Sequence, residues 1–486
     1  MSGETLIVIA LIVPAATAAL IPLFAHSANP REAVTMVGTV ALFAAVLALL
    51  ADVAGGARPA VHAFDVLPGL AIAFAVEPLG MLFATVASGL WIVNSLYSIG
   101  YMRANGELRQ TTFYVCFALA IAATMGIALA GNLFTLFLFY EMLTLVTYPL
   151  VTHHRDAEAK AAGRLYLLML LGGSTLLLLP AIAWTGVVAG TLDFQPGGIL
   201  GGKLEPLAMG VLLAMFAFGI GKAALMPVHY WLPAAMVAPT PVSALLHAVA
   251  VVKAGVFFVA KVVVYVFGIE TLSVTGSAEW LVYVAGFTVI AASVVALRQD
   301  HLKRRLAYST ISQLSYVIMG AALATPIAVL GAAMHIATHA VSKITLFFAA
   351  GSVHTAAHID HVSGMDGIGI RMPWTMGSFA LGSLSMIGVP PTAGFLGKWF
   401  ILVGAAGTGQ WFAVAVVVLS TVLNAGYFLP IVYRAFGRPP AAPGQGGPKE
   451  APWPVVTSLT ITAAAIVALF IFPDVPYRLA EMLIAG

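Results

Sequence analysis

The chain has 486 residues, of which 61% are hydrophobic and 8% charged, with a net charge of +3 and a single cysteine, Cys116. Soluble domains carry about 25% charged residues, and mean hydropathy here is +1.01. These values exclude a soluble protein, nothing in them suggests nucleic acid, and one cysteine allows neither a disulfide framework nor a cysteine metal site. The composition is that of a polytopic membrane protein in a lipid bilayer.

A crossing takes about 20 mostly apolar residues. Fourteen spans follow in chain order, at 4–25, 33–53, 78–99, 112–130, 132–152, 163–189, 206–236, 241–267, 279–297, 304–323, 326–352, 374–404, 410–434 and 454–474. No basic stretch precedes the first and no A-x-A-like site clearly follows it, so it reads as a span rather than a cleaved signal. The fold class is an all-α membrane protein, divided as helices 1–3 (1–105), two five-helix sets (110–267 and 279–434), a Pro/Gly-rich linker (437–453) and helix 14 (454–486). Loops after odd-numbered spans hold fourteen Lys and Arg, from Arg31 to Lys449, against Arg58, Lys203, Lys261 and Arg478 on the other side. By the positive-inside rule the odd loops are cytoplasmic and both termini lie outside a cell membrane.

Spans 7 and 12 are interrupted. Pro227 and Pro233 break GIGKAALMPVHYWLPAAMVAPTP, where Lys222 and His229 flank the first proline. Pro390, Pro391 and three glycines break IGVPPTAGFLGKW, where Lys398 follows at once. Proline removes a helical hydrogen bond, and freed backbone inside a bilayer is tolerated only where protein or a water-filled cavity satisfies it. Paired interruptions in two halves are the sequence mark of a transport site built from repeats. The breaks lie five spans apart, an odd number, so the repeats are inverted.

Four lysines, Lys222, Lys253, Lys343 and Lys398, lie in apolar stretches, as does Glu141. A charge there costs about 3 kcal/mol on insertion scales and marks an ion path by default. Lys222 is the natural partner for Glu141. His247 precedes Lys253 by six residues, and His335, His339 and Lys343 fall at i, i+4, i+8 on one helix face. The HxxxH spacing can bind zinc, but no Glu follows the first His and no third ligand is evident, so a proton relay is the expected use and no metal or cofactor is expected. Burial and a movable carboxylate switch a lysine between holding and releasing a proton, and histidine titrates near neutrality. The segment 300–316, DHLKRRLAYSTISQLSY, reads as a basic anchor followed by small-residue packing. Glu77, in FAVEPLG, reads as a solvated helix start. No nucleophile–base dyad or phosphate loop appears, so no covalent chemistry is expected.

The segments YEMLTLVTYPL, GKAALMPVHYWLPAAMVAPTPVSALLHA, LKRRLAYSTISQLSY, HIATHAVSKITLFFAAGSV and GVPPTAGFLGKW resemble the antiporter-like subunits of respiratory complex I, membrane-bound hydrogenases and Mrp-type sodium/proton antiporters. The likeness covers roughly residues 77–405. It implies fourteen helices with two inverted five-helix repeats. It also implies roles for Glu141 as the fifth-helix glutamate, Lys222 and Lys253 as the seventh- and eighth-helix lysines, His335, His339 and Lys343 as the eleventh-helix relay, and Lys398 as the twelfth-helix terminal group. The largest relatives continue into a lateral helix, whereas the fourteenth span is the last here. With GVPPTAGFLGKW, this looks most like the Mrp D subunit, although YEMLTLVTYPLVTHH is less typical of it. The expected function is proton translocation within a multi-subunit Na+/H+ or K+/H+ antiporter, beside other membrane subunits. The alternative is the same module driven by a redox complex.

Overall fold

A computed structural model describes residues 1–67, 69–439 and 450–485. Most of the expected Pro/Gly linker, 440–449 with Lys449, lies outside the described residues. The helices are α1 (Gly3–Phe24), α2 (Ala28–Ala54), α3 (Pro78–Ala104), α4 (Gln110–Ala128), α5 (Leu133–Val151), α6 (Ala157–Ala189), the broken α7 (Pro206–Gly219, then Trp231–Ala234), α8 (Thr240–Phe267) and α9 (Glu279–Arg298). Then come α10 (Leu302–Ala322), α11 (Pro326–Ala357), the broken α12 (Pro373–Ile387 and Gly394–Gly407), α13 (Trp411–Gly437) and α14 (Trp453–Ile471). Among the described residues eleven helices are long and apolar enough to cross a membrane. The broken α7 and α12, and α10 with its polar Ser, Thr and Gln, complete the fourteen expected.

Two elements depart from the expected set of fourteen helices. The stretch between spans 2 and 3 forms an antiparallel hairpin, β1 (Ala60–Leu67) with β2 (Leu70–Ala75). It docks on the start of α5: Ala73 N donates to Thr135 Oγ1 at 3.0 Å, and Asn132 Nδ2 donates to Ala71 O at 3.0 Å. The C-terminal segment is not a continuation of span 14 but a separate helix, α15 (Asp474–Ala485), which buries Leu479, Ala480 and Leu483.

Side-chain oxygens set the helix starts. Asn132, Asp156 and Thr325 accept from Thr135 N, Ala159 N and Ala328 N, and so cap α5, α6 and α11. The apolar window of α8 is wholly buried and that of α11 nearly so, whereas α1, α2, α6, α13 and α14 leave most of theirs at the periphery. Small residues let the central helices approach closely. A Cβ on Gly397 of α12 would lie 2.8 Å from His335 Cβ, and one on Gly255 of α8 would lie 2.3 Å from Ala223 N and 2.4 Å from Lys222 C. Gly255 therefore fixes how near α8 comes to the break in α7. Gly255→Ala forces backbone apart and is expected to cost about 1–3 kcal/mol, read as a lower melting temperature in detergent. Gly172→Ala, with nothing within 4 Å of its Cβ, is the control; equal melting of the two variants would remove this constraint.

Candidate proton pathway

Both interruptions are real, and side chains satisfy the backbone they free. In α7 the helix stops at Gly219 and a single tight turn, Gly221–Ala223, presents Lys222; Ala224 then turns left-handed at φ +54°. Trp231 Nε1 donates to Gly221 O at 3.0 Å, Lys222 N to Tyr140 OH at 3.1 Å, and Met226 N to Thr288 Oγ1 at 3.3 Å. In α12, Gly388 at φ +92° ends the first half. Lys398 Nζ donates to Met386 O at 2.7 Å and Ile387 O at 3.1 Å, and Asn424 Nδ2 to Met386 O at 3.1 Å. A cation on the last carbonyls of a helix also faces the negative end of its dipole.

Lys222 is fully buried. Its Nζ donates to Tyr140 O at 2.8 Å and Thr144 Oγ1 at 2.5 Å, and lies 3.2 Å from the centre of the Tyr140 ring. The cage is neutral: the expected contact ion pair with Glu141 is not formed among the described residues. Glu141 is half-buried on the flank of α5, within electrostatic reach of Lys222.

Lys253 of α8 reaches across to α11, where its Nζ shares a hydrogen bond with His339 Nδ1. The His339 ring stacks on that of His335, with centres 5.8 Å apart and planes 19° apart. His335 Nε2 donates to Gln313 Oε1 at 3.1 Å. Lys343 Nζ donates to Ser309 Oγ at 2.9 Å, and Ser309 also receives the Tyr427 hydroxyl at 3.1 Å. Lys398 lies 5.0 Å from the centre of the Tyr316 ring, which in turn lies 5.6 Å from His335. His247 sits in a one-turn π-bulge of α8, Leu245–Val249, packed on Phe347 at 4.7 Å, within electrostatic reach of Lys253 and Lys343. Such bulges are frequent at functional sites.

The structure thus joins α8, α11 and α12 through Lys253, His339, His335 and, across the Tyr316 ring, Lys398, with His247 and Lys343 beside them. Lys222 and Glu141 stand one helix away. His229 does not join the row; its ring lies against Tyr230 at 4.1 Å and Tyr308 at 6.2 Å.

Several partners escape a motif reading. Ser309, Gln313 and Tyr316 lie at i, i+4 and i+7 on α10, so the segment read as small-residue packing presents a polar face to α11. Lys261 is not a loop charge: it lies inside α8, fully buried, ion-paired with Glu77 and donating to Ala130 O at 2.7 Å. Glu77 is accordingly no solvated helix start. The eight-residue spacing of Lys253 and Lys261 was the available signal.

The fold and this row define a polytopic helical membrane protein with interrupted helices and buried cations at its centre. Residues 130–424 match the family model described as NADH:quinone oxidoreductase/Mrp antiporter, TM, and the chain belongs to that family. It is 32% identical over 389 residues to NADH-quinone oxidoreductase subunit N of Desulforudis audaxviator, covering 79% of this chain and 77% of that one. It is 30% identical over 453 residues to a Na(+)/H(+) antiporter subunit of Alkalihalophilus pseudofirmus, covering 85% of this chain and 54% of that one. It spans about half the length of several further relatives. The fold matches a chain of an archaeal membrane-bound sulfane sulfur reductase with a TM-score of 0.86 at 24% identity, over 99% of this chain and 97% of that one. The protein is an antiporter-like membrane subunit of the Mrp or complex I-like kind.

Proposed function

We propose that this chain is the proton-translocating subunit of a multi-subunit monovalent cation/proton antiporter, with Na+ or K+ moving through neighbouring subunits. The observation that carries the reading is the Lys253–His339 hydrogen bond. It joins the helix set 110–267 to the set 279–434, which we take as the two inverted repeats. A proton shared between an amine and an imidazole can pass either way as the charges around it change. Protons move along Lys222, Lys253, His339, His335, Lys343 and Lys398, with His247 flanking and Glu141 biasing Lys222 from α5. His229 belongs to a side branch near the break in α7. The positive-inside bias, sharpened by the burial of Lys261, which had counted on the opposite side, favours both termini outside a cell membrane.

The similarity to a quinone oxidoreductase subunit over 77% of its length favours a second reading, the same row driven by a redox partner. The proteins that co-purify with the tagged chain decide between them. Only small membrane proteins are expected; iron–sulfur or quinone-site proteins would replace the antiporter with the redox machine.

A further inference from the structure

Among the described residues, Lys261 and Glu77 form the one buried ion pair near the row that the proton path above does not use. Lys253, Phe257 and Lys261 are spaced i, i+4, i+8 and so share one face of α8. Phe257 stands between the two lysines, with its ring 4.9 Å from that of Phe83 and 5.5 Å from Lys261 Nζ. On the far side of the pair is a cavity of about 260 Å³, lined by Arg58, Glu77, Phe194, Tyr265, Met482 and Leu483. Lys261 sits 4.2 Å from the centre of the Phe194 ring in that wall. The cavity wall is mostly apolar, but the Glu77 carboxylate and the Arg58 guanidinium give polar partners for water in a space large enough to hold it. It adjoins a second cavity of about 410 Å³ that shares Tyr265 and Leu483.

We infer that Glu77 and Lys261 are the proton-exchange station between the central row and the solution on the side where α3 begins, with Phe83 and Phe257 as an apolar plug. This rests on the proton reading of the row. An apolar constriction conducts only when water enters it, so Lys253 and the Glu77–Lys261 pair exchange protons only while the two rings part. Glu77 lines the cavity, and Lys261 lies between its Phe194 wall and the Phe257 plug, so the carboxylate trades protons with solution and the amine with the interior.

The competing view is a staple holding α3 to α8. Replacing both members of a buried pair by neutral groups leaves packing intact, whereas removing one strands a charge. The full complex in vesicles carrying Glu77→Gln/Lys261→Met is therefore expected to assemble like the parent yet transport protons at least tenfold more slowly, with Glu77→Asp keeping most activity. Parental transport by the double variant would leave only a staple. Cys116 is the single cysteine, so a Cys116→Ser background allows a second test that reads access rather than transport. In it, Glu77→Cys combined with Lys261→Met, which strands no charge, should react with a membrane-impermeant maleimide from one side only, and no reaction from either side in a complex that assembles would overturn the station. Lys222→Ala separates the levels: if it abolishes transport while the double variant does not, this inference alone fails, and if it leaves transport intact, the row fails with it.

Discussion

Lys222→Ala and Lys398→Ala are each expected to reduce proton-coupled transport in vesicles by on the order of a hundredfold or more, the scale on which a positioned proton-transfer group contributes. Their effects on stability should differ. The Lys222 ammonium bonds Tyr140 O and Thr144 Oγ1, and Thr144 also has a helical acceptor in Tyr140 O at 3.4 Å. Its loss leaves the cage partly satisfied, and the complex should assemble. Lys398 instead caps Met386 O and Ile387 O at the broken end of α12. Leaving such carbonyls buried costs about 1–3 kcal/mol, so Lys398→Ala should also melt lower. Lys398→Arg restores a donor and should recover stability. Wild-type transport in either alanine variant would break the row as drawn.

Lys253→Met is expected to stop transport while leaving the protein as stable as the parent or more so. Lys253 is fully buried, and its side chain has one hydrogen-bonding partner among the described residues, His339. Taking an ammonium from water into this interior is costly, and Met fills nearly the same volume without a charge. Replacing whole buried ion pairs by well-packed apolar groups is neutral to stabilising, by as much as about 1–4 kcal/mol, and among the described residues Lys253 has no opposite charge beside it that its loss would strand. Opposite signs in the two readouts separate a proton station from a packing residue. A parallel fall of melting temperature and transport would mean that Lys253 holds α8 against α11 and nothing more.

Much of this was legible from residue type and spacing. Charges in hydrocarbon are rare enough that Lys222, Lys253, Lys343 and Lys398 identified themselves, and the periodicity of His335, His339 and Lys343 placed them on one face of α11. The breaks in α7 and α12 followed from prolines that cannot donate a helical hydrogen bond. Lys261 was misread because it lies near the end of the span 241–267 and was credited to the adjoining loop, and no spacing along the chain reveals that Glu77 is its partner. The β1–β2 hairpin was missed although HAFDVL and LAIAFA are short, β-rich runs around a turn. Its pairing depends on docking to Asn132 and Thr135, sixty residues on.

By itself the sequence determined the membrane class, the fourteen crossings, the two interruptions and the set of buried cations, because hydrophobicity, proline and charge act locally and carry large free energies. Tertiary structure alone decided which of those cations meet. It seated Lys222 in a neutral cage on α5 rather than against Glu141, set Lys253 on His339 across two helix sets, and turned Lys398 onto the carbonyls of its own broken helix. Those choices depend on contacts between residues up to 86 positions apart, as with Lys253 and His339, and on glycines such as Gly255 and Gly397 that let backbones close to contact. A buried polar group must find a partner wherever the fold puts one, and neither spacing nor composition says which.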